Sequence, residues 1–147
     1  MLDGKLFTSS LALADELNEG HAMMGSCVEA ALHALTGGEA EQLDLSLVQL
    51  LAVSRTHFLA EEALMRRVAY PQLIDHSEHH QQLLHGLAKL HRVQSAVAKT
   101  PDLLQAFSGY LGSWYGVHIQ RDDAAFAHFL LERGTDRLDL GDSGGAR

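Results

Sequence analysis

Three helix-breaking points divide this chain and restrict what it can become. Gly37-Gly38 interrupts one periodic stretch, Tyr70-Pro71 a second and Thr100-Pro101 a third. They leave four segments long enough for substantial helices: about Leu11 to Leu35, about Glu39 to Ala69, Pro71 to about Val97, and one opening at Thr100 and closing near Gly134. The second should stop before Tyr70-Pro71, because a residue preceding proline resists the helical region. Pro71 suits the first turn of the third segment. Thr100, Pro101 and Asp102 read as an N-cap, a first-turn proline and an acid matched to the helix dipole. No stretch alternates with a strand period over a useful length. Short connections between long helices make neighbours antiparallel. The expected fold is therefore all-α: an up-down-up-down four-helix bundle over residues 1–134 with an N-terminal arm, then a flexible, glycine-rich tail at 135–147.

Composition narrows the function. A chain of 147 residues, 46% hydrophobic, is one domain's worth and can bury a real core. A formal charge of −8 argues against nucleic acid or an anionic membrane as partner, since both need Lys/Arg patches. No apolar run reaches the length of a membrane span. The opening "MLDGKLFTSSLALADEL" has one lysine and an apolar run broken by Thr8, Ser9 and Ser10, which argues against a secretory leader. The single Cys27 suits a reducing compartment, so the expected location is the cytoplasm, as a monomer or small homo-oligomer.

The inward faces follow from three-and-four spacing. They run Leu17, His21, Met24, Val28, Leu32, Leu35 in the first segment, and Leu43, Leu47, Leu50, Ser54, His57, Glu61, Leu64, Val68 in the second. The third gives Leu73, His76, His80, Leu83, Leu87, Leu90; the fourth gives Leu104, Phe107, Leu111, Trp114, His118, then Ala125 and Phe129. Each seam is apolar except for one polar interruption, and at about 1.5 Å per residue the interruptions reach a common level once the segments fold back on one another. Unpaired burial of so many polar groups would cost several kcal/mol each. A metal centre removes that conflict. Imidazole and carboxylate without thiolate suit iron, manganese or zinc. Five histidines with two carboxylates exceed one tetrahedral zinc and suit a metal pair. The Glu-x-x-His pattern of ferritin-like di-iron bundles is missing. Spacing alone chooses Asp122 as the carboxylate after His118, since it lies about 40° away around a regular helix and Asp123 about 140°.

The stretches "HFLAEE", "YPQLIDHSEHH" and "WYGVHIQRDD" resemble the hemerythrin signature, in which a His-Phe-x-x-Glu-Glu run is followed by Tyr-Pro with His-x-x-x-His and then by Trp-x-x-x-His-Ile-x-x-x-Asp. The resemblance spans roughly residues 7 to 133. "NEGHAMM" corresponds to the family's first histidine, which usually follows an aspartate; Asn18 and Glu19 stand there instead. The resemblance implies that His76, His80 and His118 hold one iron and that His21 and His57 hold the other. Glu61 and Asp123 would bridge the two together with an oxo or hydroxo group. It selects Asp123 over Asp122, which requires a π-type bulge after His118 to restore the facing. The second iron would keep one open position, where O2 binds reversibly.

Such binding demands an apolar pocket, because water and protons would destroy its reversibility. Met24, Phe58, Trp114, Tyr115, Ile119 and Phe126 are its candidate lining. Tyr115 departs from the family's usual leucine and brings a hydroxyl to a site that normally excludes donors. The expected function is O2 carriage, storage or delivery rather than catalysis. The alternative is a redox enzyme that reduces peroxide, or handles nitric oxide or iron, on the same centre. His79, His85, His91 and His128 are expected on solvated faces or near helix ends, and Glu62 beside the ligands or at the surface.

Overall fold

A computed structural model of the chain describes residues 10–97 and 100–132. Every regular element among them is helical: α1 (Ser10–Gly37), α2 (Ala40–Arg67), α3 (Leu73–Val97) and α4 (Pro101–Val117), a π segment (His118–Asp123), and a helical continuation over 124–132. Helix α1 packs on α2 and α4, and α3 packs on the same two, so the four helices enclose one core. No helix among the described residues is long and apolar enough to cross a membrane. The expected N-terminal arm, the Gly134 stop and the tail at 135–147 lie outside the described residues.

The breakers act through defined hydrogen bonds. At the end of α1, Gly38 takes φ +69°, its N–H bonds Leu35 O at 3.3 Å, and Glu39 N–H bonds Ala34 O at 2.9 Å. This is a Schellman closure, with glycine where left-handed backbone costs least. Helix α2 closes in the same way through Ala69 N–H to Arg66 O at 3.2 Å and Tyr70 N–H to Met65 O at 2.9 Å. There, however, the left-handed residue is Ala69, at φ +53°. Pro71 was expected to open the third helix, yet α3 begins at Leu73. Pro71 and Gln72 form a turn in which Leu73 N–H bonds Tyr70 O at 3.2 Å, a tighter bond than the α-helical pattern. Thr100 caps α4 as expected: its Oγ accepts from Leu103 N–H at 3.3 Å, with Pro101 following.

The core has three layers. The larger apolar cluster joins Met24 and Val28 of α1, Leu47, Leu50 and Phe58 of α2, Leu87 of α3 and Phe107, Leu111 and Trp114 of α4. A second cluster joins Leu17, Met65, Val68, Tyr70, Phe126 and Leu130. Between them in the chain order of every helix stand the polar seam residues. The fourth seam departs from expectation beyond His118. Ala125 is exposed and Phe129 half-buried, while Phe126 and Leu130 are buried. The π segment adds one residue to a turn, so every later inward position moves on by one.

The left-handed alanine gives a direct test. Ala69→Gly should raise the stability of the chelator-treated protein by about 1 kcal/mol, read as a higher denaturation midpoint, because it removes the Cβ penalty of that conformation. An unchanged or lower midpoint would show that Ala69 is unstrained.

Candidate metal centre

The structure brings together all seven seam residues expected to meet. His57 and Glu61, and likewise His76 and His80, stand one helical turn apart on α2 and α3 and so share a face. On α1, His21 follows Gly20, and a Cβ at Gly20 would overlap the His57 imidazole. That glycine allows the His57 ring to lie against α1. On the fourth helix the π segment separates the two candidate carboxylates. Asp123 turns inward with a side chain 1% exposed, whereas Asp122 remains 24% exposed and faces outward to His79.

The carboxylate oxygens sort the histidines into two sets. Glu61 Oε1 lies 2.6 Å from His76 Nε2 and 3.2 Å from His80 Nε2, and Oε2 lies 3.2 Å from His57 Nε2. Asp123 Oδ1 lies 3.0 Å from His118 Nε2 and 3.3 Å from His76 Nε2, whereas Oδ2 contacts His21 Nε2 and lies 3.9 Å from His57 Nε2. Each carboxylate thus turns one oxygen toward two of His76, His80 and His118 and the other toward one or both of His21 and His57. Within each set, completed by Glu61 and Asp123, the ligand atoms lie within 4.8 Å of one another.

These groups fit a metal better than they fit each other. His57 Nε2, His80 Nε2, His118 Nε2, Glu61 Oε2 and Asp123 Oδ1 are buried without a hydrogen-bond partner, although an opposing nitrogen or oxygen stands nearby. Buried polar atoms are nearly always hydrogen-bonded, so five orphans around two shared carboxylates require an explanation. Lone pairs that converge on a common point supply one. The sulfur-free donor set suits iron, manganese or zinc.

Without a metal the cluster holds together through charge. Burial alone would lower the pKa of His57 and His76, but the facing carboxylates of Asp123 and Glu61 outweigh it and raise both to about 9. Burial would raise the pKa of both carboxyls. The imidazoles of His57, His76 and His80 facing Glu61, and of His118, His21, His57 and His76 facing Asp123, instead hold them well below the usual carboxylate range.

Surrounding side chains fix the ligands. Glu62 accepts from His80 Nδ1 at 2.9 Å and from the Ser77 hydroxyl at 2.6 Å, which leaves His80 Nε2 to face Glu61. Phe58 stacks on His80 with centroids 3.9 Å apart and planes 5° apart, and meets His118 edge-on at 5.1 Å. Trp114 packs in the same apolar cluster as Met24 and Phe58, its indole N–H donating to Leu83 O at 3.1 Å. Phe126 belongs to the opposite cluster, against Tyr70. Ile119 lies in the π segment, and its side chain is outside the described residues. The Tyr115 hydroxyl donates to the main-chain carbonyl of His21 at 3.0 Å.

Of the outer histidines, His85 and His128 are exposed, and His91 bonds Asp44 at 2.8 Å. His79 lies partly exposed, as expected, and pairs with Asp122. Sequence reading missed Gly20 and Ser77. A glycine inside a helix next to a candidate ligand was the available signal for the first; Ser77 left none. No protein-family model matches the chain, and no curated protein matches it.

The charge pattern fixes the sign of a pH dependence. His57 and His76 keep protons in the folded, metal-free chain up to about pH 9, against an ordinary value of 6.5. Their contribution to stability is therefore complete below about pH 6.5 and lost as pH rises through about 9. Glu61 and Asp123 contribute above about pH 4 and lose that contribution only under stronger acid. Denaturation of the chelated protein should show a midpoint that falls between pH 6.5 and 9.5. Metal binding at pH 7 should release protons from His57 and His76, detectable as buffer-dependent binding heats. Buffer-independent heats and a flat midpoint would contradict this account.

Proposed function

We propose that the protein is a non-heme di-iron protein of the hemerythrin family that binds O2 reversibly. The observation that carries the proposal is the division of the Glu61 and Asp123 oxygens between the same two sets of histidines. One carboxylate facing two sets is within the reach of ordinary packing; two doing so in parallel match a pair of ions held between the same two residues. In this reading His76, His80 and His118 hold one ion, His21 and His57 the other, and both carboxylates bridge. The bundle runs up, down, up, down. Asp44 near the start of α2 meets His91 and Gln94 near the end of α3, while Glu61 and Glu62 meet His76 and Ser77 near its start, which supports that order.

When bound, the iron pair supplies the redox chemistry for O2 at the ion with fewer protein ligands. The chain's own residues supply exclusion and orientation. Met24, Phe58 and Trp114, all at most 5% exposed, keep water from the histidine face of the cluster. Glu62 fixes the His80 tautomer. Tyr115 commits its proton to the His21 carbonyl, so the one hydroxyl expected to threaten the pocket is tied to α1 instead. These features favour carriage, storage or delivery of O2 over turnover of peroxide.

Two measurements test the proposal. Metal analysis should give two irons per chain, and anaerobically reduced protein exposed to air should develop a visible band that disappears on deoxygenation. One zinc per chain would defeat the di-iron reading; irreversible bleaching with peroxide consumption would move the protein to the enzyme class. Tyr115→Phe should lower stability by about 1 kcal/mol through the lost hydrogen bond. It should not slow autoxidation; slower decay of the oxygenated form would place the hydroxyl in the chemistry.

A further inference from the structure

We propose that the surface pocket beside α3 and the π segment is the port through which metal ions enter and leave, with His79 and Asp122 as its transient ligands. The inference rests on the metal centre proposed above. The side chains of His57, Glu61, His76, His80, His118 and Asp123 are at most 6% exposed and that of His21 is 12% exposed, so an ion reaches the cluster only past the side chains that cover it. The pocket, about 410 Å³, is lined by Asp75, His79, Arg121 and Asp122 and by His76 itself. One imidazole therefore borders both solvent and the buried cluster.

A second, buried imidazole stands between the pocket's Asp122 and the cluster. His118 presents Nε2 to Asp123 at 3.0 Å, while its Nδ1 lies 3.9 Å from Asp122 Oδ2. That Nδ1 is buried and has no hydrogen-bond partner. Asp122 also contacts His79 Nδ1, and the ligand atoms of His79, His118 and Asp122 lie within 4.8 Å of one another. His79 and Asp122 are 34% and 24% exposed, so an ion can reach them from water and keep part of its hydration. This outer group differs from the inner ones in two ways that suit transfer. It has one carboxylate where the inner groups have two, and Arg121 offsets one of the pocket's two acids, Asp75 and Asp122. A dication is drawn in and held weakly. Passage inward exchanges an Asp122 or His79 donor for His76 or Asp123 at the same ion, with no change of oxidation state and with water released.

A port changes rates without changing the equilibrium, and this separates it from a role in positioning His118. Full-length protein stripped with chelator is mixed anaerobically with Fe(II) or with Co(II) as an optical probe, and uptake and chelator-driven release are timed. Asp122→Asn and His79→Gln should slow both by similar factors, on the order of tenfold. The final stoichiometry and the spectrum of the loaded protein should match the parent. Exposed His85→Gln should leave the rates alone. Unchanged uptake in both pocket variants overturns the proposal. So does faster release at normal uptake, which marks a positioning role, or a final content below that of the parent, which makes the pair part of the centre. Failure of the parent protein to bind ions would defeat the metal centre itself, a result distinct from these.

Discussion

Two carboxylates buried at the middle of a helical core dominate this protein. Glu61 and Asp123 are at most 1% exposed, and an isolated buried carboxylate carries a penalty of several kcal/mol. Each must therefore meet positive charge or a metal within reach of both oxygens. Five imidazoles, delivered from all four helices, meet that demand. The two apolar clusters then take their places on either side of the polar layer, because each helix must return to leucine, valine or aromatic residues once it has contributed its ligands.

The π segment is the local consequence of that demand. On a regular helix His118 and Asp122 would share a face, and Asp123 would turn away. The wide turn over His118–Asp123 brings Asp123 inward beside His118. It departs from regular hydrogen bonding at one turn and in return brings four imidazoles to face one carboxyl. The same shift sends Phe126 and Leu130 into the second apolar cluster, where Phe126 and Phe129 both lie 4.9 Å from the Tyr70 ring. Asp122, released from the core, becomes the partner of His79 at the surface pocket. A single extra residue thus separates an inner carboxylate from an outer one.

The surroundings of the cluster differ from face to face. Toward α1 and α4 it is closed by apolar side chains and by the Tyr115 hydroxyl bonded to the main-chain carbonyl of His21. Gly20 gives His57 its room there. Toward α3 and the π segment it borders a polar pocket with two acids and two histidines. The buried cluster therefore has two chemically different faces, one apolar and one polar. Ser77 donates to Glu62, which in turn accepts from His80 Nδ1 and braces it.

The sequence by itself determined the helical class, the breakers, and the identity of the candidate ligands. These depend on local rules: φ restrictions at Gly38 and before Pro71, the Thr100 cap, and the repeat that places His57 with Glu61 and His76 with His80 on common faces. Only tertiary structure could decide what depends on distance between helices. Spacing alone favoured Asp122 and the Ala125 and Phe129 register. Burial of Asp123 among histidines from three other helices reversed both, because charge compensation across the core outweighs regular hydrogen bonding at one turn. Helical periodicity placed His79 in solvent; its partner arrived from the fourth helix. Gly20 and Ser77 acquired their roles in the same way, since a close approach and a brace each need a neighbour that the local sequence does not contain.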